Sequence, residues 1–268
     1  MTPFAEFPAA AARRIRFVLT DVDDTLTDGP RLPASAYAAI EALSEAGVTV
    51  IPVTAAPSGW CDLMCRMWPV GAVIGENGGL CFRHDRESGK TERRYWADTE
   101  ERLAARAKLM TLGAEVLRLI PGSELAHDQR YRETTLTFRM NDPVRSAKII
   151  AHLDASGART TANSIWVIGW LGEFDKLAMA RRMLGELFGV DIDRDADSCL
   201  YVGDSINDAP MFGFFPYSIG VASVRNYAER MPALSRWITE GAGGAGFVEV
   251  AEKLLRLSPG KRSGSPRR

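Results

Sequence analysis

A short apolar stretch at 15–20, Ile-Arg-Phe-Val-Leu-Thr, runs straight into Asp21-Val22-Asp23-Asp24-Thr25-Leu26-Thr27-Asp28-Gly29. No other junction in the chain limits the fold as much. The stretch reads as a buried strand, so the carboxylates fall at a strand end. Four aspartates within eight residues repel one another, and a fold that keeps them together at a strand end usually brings a cation to them. An acidic, solvated turn would satisfy the same pattern, so the rest of the chain has to decide between the two.

The surrounding sequence alternates strand and helix. A helix is predicted over 33–46, with apolar Ala36, Ile40 and Leu43 and a stop at Gly47. Strands are predicted at 48–54 and 72–74, with a helix at 59–68 between them. Near-continuous apolar strands separated by helices predict a doubly wound, Rossmann-like α/β core with a parallel sheet, in which ligands bind beyond the carboxyl ends of the strands. From Phe82 the rhythm changes to a polar strand at 91–96, a long helix at 99–119, an alternating strand at 134–140, a helix at 143–156 and short strands around Thr160 and Trp166. Alternation predicts a sheet with one covered face, hence an inserted α+β domain over 82–170. The core rhythm returns with a helix at 174–188, strands at 198–202 and 217–221 and a last helix at 246–257. The core is therefore expected to comprise 1–81 and 171–257, with 258–268 a disordered Ser/Pro/Gly/Arg tail.

A net charge of −1 gives no support to a nucleic-acid or membrane role. No apolar run approaches the roughly 18 residues of a membrane span, and the basic residues near the N-terminus follow the Ala-rich stretch, the wrong order for a secretory signal. The four cysteines and three histidines show no paired ligand spacing, so buried thiols in a reducing cytoplasm are expected and zinc is not. The inserted segment carries 15 basic against 12 acidic residues, a weak asymmetry that suits an anionic ligand held between the two units.

A second acidic loop, Gly203-Asp204-Ser205-Ile206-Asn207-Asp208, follows the strand at 198–202. If the two strands are parallel neighbours, Asp21, Asp23, Asp204 and Asp208 converge on one sheet edge, and hard oxygen ligands there suit Mg²⁺. Asp21 could then attack an electrophilic phosphorus. Asp23, two residues on and facing the same way, could protonate the leaving oxygen and later activate water. Thr54 ends the second strand, where its hydroxyl and the next backbone N–H could hold a phosphate oxygen. Lys176 lies near a helix start, where the macrodipole disfavours a cation; a role in anchoring phosphate and Asp21 explains the misplaced charge, and a solvated surface lysine is the alternative.

Asp21-Val-Asp23-Asp-Thr, Thr54, Lys176 and Gly203-Asp204-Ser-Ile-Asn207-Asp208, in this order, resemble the four motifs of the haloacid dehalogenase superfamily of aspartate-nucleophile phosphohydrolases. The insertion between the second and third, with Gly75-Glu76-Asn77-Gly78-Gly79 and Gly244-Ala-Gly-Phe247, is similar to the type-two cap subgroup of Cof-like and sugar-phosphate phosphatases. The resemblance spans 14–257. It implies Asp21 as nucleophile and Asp23 as general acid/base. It also implies Mg²⁺ on the Asp21 carboxylate, the Asp23 carbonyl and Asp204, with Asp208 supporting the metal or its waters. One departure matters: Thr54 is followed by Ala55-Ala56, where relatives commonly have Gly or Ser and then Arg. The Ala55 N–H can still donate, but Ala56 supplies no cation.

In the cap, Arg130, Arg132 and Arg139 are candidates to meet the leaving group, and Trp166 and Trp170 to stack on a sugar face; solvated arginines and core tryptophans are the plainer expectation. Asn77 is placed at the domain seam near substrate, and Asn207 is expected to orient Lys176 or Asp204. The whole predicts a Mg²⁺-dependent phosphatase for a small phosphorylated metabolite, foremost a sugar phosphate, cytoplasmic and a monomer or weak homodimer, with no nucleic-acid or membrane partner. A phosphosugar mutase and a non-catalytic phosphometabolite sensor are the alternatives.

Overall fold

The computed structural model describes residues 1–163 and 165–257; the tail expected at 258–268 lies outside the described residues. In chain order the strands are β1 (Thr2–Pro3), β2 (Phe17–Thr20), β3 (Thr49–Pro52), β4 (Val73–Gly75), β5 (Leu80–His84), β6 (Thr91–Tyr95), β7 (Thr135–Arg139), β8 (Arg159–Ala162), β9 (Trp166–Trp170), β10 (Cys199–Gly203), β11 (Ser218–Gly220) and β12 (Trp237–Ile238). The α-helices are α1 (Ala9–Ala12), α2 (Ala34–Glu45), α3 (Ser58–Met67), α4 (Thr99–Leu119), α5 (Pro143–Ala155), α6 (Lys176–Phe188), α7 (Ala209–Phe214) and α8 (Gly243–Leu257).

The core sheet runs β1-β12-β11-β10-β2-β3, and every neighbouring pair in it is parallel. Its central strands are apolar throughout because both faces are covered. Val18, Val50, Leu200 and Val202 pack on one side with Ile40 and Leu43 of α2 and Phe247, Val250 and Leu254 of α8. Phe17, Leu19, Ile51 and Tyr201 turn to the other side, against Met179 and Met183 of α6 and Met211 and Phe212 of α7. This is the period-2 alternation of a strand read out as two cores, and each large side chain buried contributes about 1.5–3 kcal/mol.

The register fixes the site. Val202 pairs with Thr20, and Thr20 with Pro52. The residues that follow these three positions therefore leave the sheet together, with Asp21 N–H donating to Val202 (2.9 Å) and Val53 N–H to Thr20 (2.7 Å).

Beyond β3 a parallel bridge, Val53 to Ile74, joins the edge of the core sheet to β4, which continues into an antiparallel β4-β5-β6 sheet. Phe82 and Tyr95 of this hairpin pack with the α2–α8 core, so the expected boundary at residue 82 falls inside β5. A second antiparallel sheet, β7-β9-β8, carries α4 and α5 on one face through Leu112, Val116, Leu136, Phe138, Ile149 and Leu153. Its alternating sequence predicts one covered face, yet Thr135 to Phe138 are all buried. The second face is not solvated because it turns towards the core, where Ile168 and Trp170 meet Ala55 and Phe174. This is the inserted α+β cap. Among the described residues no helix is long and apolar enough to cross a membrane.

Candidate active site

Asp21, Thr54 and Asp204 each follow one of three neighbouring parallel strands, β2, β3 and β10, so the sheet register alone brings them to one edge. Oxygen atoms of the Asp21, Asp204 and Asp208 carboxylates lie within 4.8 Å of one another, and all three residues are buried. Lys176 reaches them from the first position of α6. Asp175 caps that helix by accepting from the Ala178 N–H at 2.8 Å, which fixes where the helix begins and therefore where Lys176 points. Gly78, at φ +106°, lies against the Asp175 carbonyl so closely that a Cβ would collide with it. A side chain there would push away the helix start that carries the lysine.

Lys176 Nζ donates to Asp21 Oδ1 at 2.7 Å and to Asp208 Oδ1 at 2.6 Å, and its side chain is fully buried. A buried ammonium persists only when paired, and two carboxylates pair it here. Asp208 is itself saturated: Oδ1 also accepts from Tyr201 Oη (2.6 Å), and Oδ2 accepts from the N–H groups of Asp204 (2.9 Å) and Ser205 (3.0 Å). That fold-back needs Gly203, where a Cβ would run into the Asp208 carboxylate. Asp204 Oδ1 accepts from Thr25 Oγ1 at 3.1 Å.

The electrostatics of the cluster favour a missing positive charge. Burial raises Asp21 to about 8, with Asp208 and Asp23 adding to the rise against the lowering by Lys176. Burial, then Asp21 and Asp208, raises Asp204 to about 9. Burial alone would lower Lys176, but Asp208 and Asp21 outweigh it and hold the ammonium above its ordinary value. Asp23 is raised by burial, against an opposing pull from Lys176. One lysine thus serves carboxylates that burial and mutual repulsion drive towards protonation, and a divalent cation reverses that balance. Asp21 and Asp204 each keep one carboxylate oxygen outside the hydrogen bonds described, so the donor set fits a hard cation with oxygen ligands.

Thr54 is buried, its Oγ1 accepting from the Ala56 N–H at 3.0 Å, while its own N–H donates to Ile74 and its carbonyl accepts from Asn77 N–H. Asn77 is buried in a left-handed conformation (φ 58°), and among the described residues its Oδ1 has no hydrogen-bond partner. Asn207 is buried with its Oδ1 accepting from Ser205 Oγ at 2.7 Å; it shapes the acidic loop without touching Lys176 through a described hydrogen bond.

Beside the cluster a cavity of about 740 Å³ opens between core and cap, with Asp23, Ala55, Ala56, Trp60, Arg132 and Trp166 in its wall. Of the cap candidates, Arg132 is buried and bridges the two units: its guanidinium donates to both Asp128 carboxylate oxygens (3.1 and 3.2 Å) and to the Ala55 carbonyl (2.8 Å). Arg139 lies on the cavity rim with Glu124, and Arg130 stands over the Tyr131 ring. Trp170 is a buried seam residue, its indole N–H donating to the Phe174 carbonyl at 2.9 Å.

Three contributors have no role in the sequence reading. Tyr201 sits mid-strand in an apolar run, where only the i, i+2 relation to Gly203 hints that it faces the acidic loop. Thr25 closes the first aspartate motif, with no role of its own read from the sequence. Glu76, fully buried, gathers the start of the cap strand onto the core loop, its two oxygens accepting from Ser58, Glu133, Thr134 and Thr135.

No family model matches the chain. It is 28% identical over 242 residues to the phosphoglycolate phosphatase of Methanoculleus marisnigri, covering 89% of this chain and 96% of that protein. Among solved structures it resembles the C-terminal domain of C. albicans trehalose-6-phosphate phosphatase, with a TM-score of 0.70, 14% identity and coverage of 96% and 99% of the two chains. It also resembles a haloacid dehalogenase-like hydrolase from Bacteroides thetaiotaomicron, with a TM-score of 0.65, 16% identity and coverage of 90% and 99%.

Proposed function

We propose that this chain, which belongs to the haloacid dehalogenase superfamily of phosphatases and carries an inserted cap, hydrolyses a small phosphorylated metabolite through a phosphoryl group held transiently on Asp21. The observation that carries the mechanism is the buried Lys176 bridge between Asp21 and Asp208, at 2.7 and 2.6 Å. It anchors the Asp21 carboxylate beside the acidic loop.

In the first half-reaction an Asp21 carboxylate oxygen attacks phosphorus, the bond to the leaving oxygen breaks, and Asp23 gives its proton to that oxygen. In the second, Asp23 takes a proton from water, the water oxygen attacks the same phosphorus, and phosphate and the Asp21 carboxylate are released. Asp23 lines the cavity where the leaving group lies, and its raised pKa suits a group that starts protonated. The Thr54 hydroxyl and the Ala55 N–H hold phosphoryl oxygens as charge shifts onto them. Asn77, through its bond to the Thr54 carbonyl, keeps that loop in place. Asn207 keeps the acidic loop closed on Ser205.

Mg²⁺ is the cofactor we assign, on the Asp21 and Asp204 carboxylates and the Asp23 carbonyl; when bound it offsets phosphoryl charge and makes phosphorus more electrophilic. Asp208, with both oxygens taken by four donors, serves by holding Lys176 and the Asp204 loop rather than as a direct ligand. The part we assign to the cap is 99–170, because the β5–β6 hairpin packs with the core. The four buried, unpaired thiols agree with a cytoplasmic protein.

Purified protein is expected to hydrolyse phosphate esters with magnesium, phosphoglycolate and sugar phosphates among those to be tried, and Asp21→Asn to abolish turnover. Activity that survives this substitution would remove Asp21 as the nucleophile.

A further inference from the structure

The wall of the cavity beside Asp23 is unusual for a site that would bind a hydroxyl-rich or acidic leaving group. On the core side it is built by Trp60, Leu63 and Met64 of α3 and by Trp68, and on the cap side by Ile165 and Trp166. Trp60, Leu63 and Ile165 are 55%, 48% and 38% exposed, large apolar side chains open to solvent in the wall of one cleft. Such contiguous apolar surface marks a place where something apolar binds, and about 740 Å³ is room for a ligand far larger than glycolate.

Each arginine of the same wall has an acidic neighbour beside it. Arg132 is clamped by Asp128, and Arg139 lies 3.6 Å from Glu124. His127 leans on the Trp166 ring, centroids 5.7 Å apart. A carboxylate beside each of these guanidinium groups competes with a second anionic group on the substrate, closely at buried Arg132 and weakly at exposed Arg139. A sugar ring could lay its C–H face on a tryptophan, but those of its hydroxyls turned towards Leu63, Met64 and Ile165 would lose water without replacement. Flat aromatic rings, by contrast, match three tryptophans and aliphatic side chains on both sides.

Resting on the phosphatase reading above, we infer that the leaving group is an uncharged alcohol with a bulky aromatic body, its ester oxygen at Asp23 and its ring between α3 and the Ile165–Trp166 edge of the cap. Against the phosphoglycolate of the curated relative, the preference is for size and apolarity in place of a carboxylate.

The test compares kcat/KM of the full chain with Mg²⁺ for naphthylethyl phosphate, a hexose phosphate esterified at its primary hydroxyl, and phosphoglycolate. In all three a primary alkyl oxygen leaves, so differences report on the cavity. The naphthylethyl ester is expected to exceed both others by at least about tenfold. Trp60→Ala and Leu63→Ser, at half-exposed positions the core does not depend on, are expected to bring that ratio several-fold closer to parity. A sugar or glycolate ester turned over equally well or better, or a ratio that both substitutions leave unchanged, overturns the inference while the phosphatase reading stands. If none of the three esters is hydrolysed with magnesium, the phosphatase reading fails and the inference falls with it.

Discussion

Glu76→Gln isolates the joint between core and cap in one atom. The native carboxylate is fully buried and accepts six hydrogen bonds. Oε2 takes four, from the N–H and hydroxyl groups of Thr134 and Thr135 at 2.7–3.0 Å. Oε1 takes two, from the N–H groups of Ser58 (3.1 Å) and Glu133 (2.8 Å). Glutamine keeps one acceptor oxygen and replaces the other with a donor. The cheaper orientation gives the oxygen to Thr134 and Thr135 and sets the new NH₂ against the N–H groups of Ser58 and Glu133. Each unsatisfied buried donor costs about 1–3 kcal/mol, and the lower half of that range applies because both groups are only partly buried. Together they cost about 2–4 kcal/mol, before the four remaining bonds weaken on losing the charge. For a chain of this length that is a fall in Tm of roughly 4–16 °C, read by circular dichroism. At a temperature where the variant is folded, kcat/KM should still fall, because the cap strand has lost its register on the loop that holds Thr54. A Tm within about 1 °C of the parent would refute the idea that this carboxylate fastens the cap.

Lys176→Met leaves two buried carboxylates without their cation and is expected to cost about 3–5 kcal/mol by urea denaturation, together with turnover. Tyr201→Phe removes one donor from Asp208 and should cost about 1.5–3 kcal/mol while leaving measurable activity; a silent substitution would show that the hydroxyl does not hold Asp208. Chelation is expected to abolish activity and Mg²⁺ to restore it, and activity that persists through exhaustive chelation would contradict the assigned cofactor. In the chelated protein Asp21 and Asp204, raised to about 8 and about 9, stay protonated in the folded state where the unfolded chain has ionised them. The unfolded state then binds fewer protons, so stability should fall as pH rises from about 4 towards 8. Magnesium should raise Tm more at the upper end of that window than at the lower, and an equal increment across it would show that these carboxylates do not bind the ion.

The parallel core and its acidic edge were legible because their signals are local. Apolar runs at 15–20, 48–54 and 198–202 read as strands buried on both faces, and Asp21, Thr54 and Asp204 stand at or just beyond their ends. Lys176 was legible for a similar reason, since a lysine near a helix N-terminus is electrostatically out of place, although the helix was expected from 174 and begins at Lys176. Strands made by long-range pairing were not: β1 and β12 are two residues each and exist only because they pair with one another and with β11. The β5 strand, apolar at Leu80-Cys81-Phe82, has no period of its own to separate it from a loop. Arg132 could be named only as one cap arginine among three, because what singles it out is the Ala55 carbonyl, 77 residues away in sequence. The apolar cavity wall was also hidden: Trp60, Leu63 and Met67 have the spacing of a core-facing helical stripe, yet the fold leaves them exposed.

The central claim is a phosphoryl group carried by Asp21, and it can be caught directly. Asp23→Asn should slow water attack on the intermediate while sparing attack on an ester with a good leaving group. Quenching that variant during turnover of an aryl phosphate and reducing it with borohydride converts an aspartyl phosphate into homoserine, located by mass spectrometry of the peptide that contains residue 21. Homoserine at position 21, dependent on substrate and magnesium, is the predicted result. Turnover with no reducible acyl phosphate, or with homoserine at another aspartate, would contradict it.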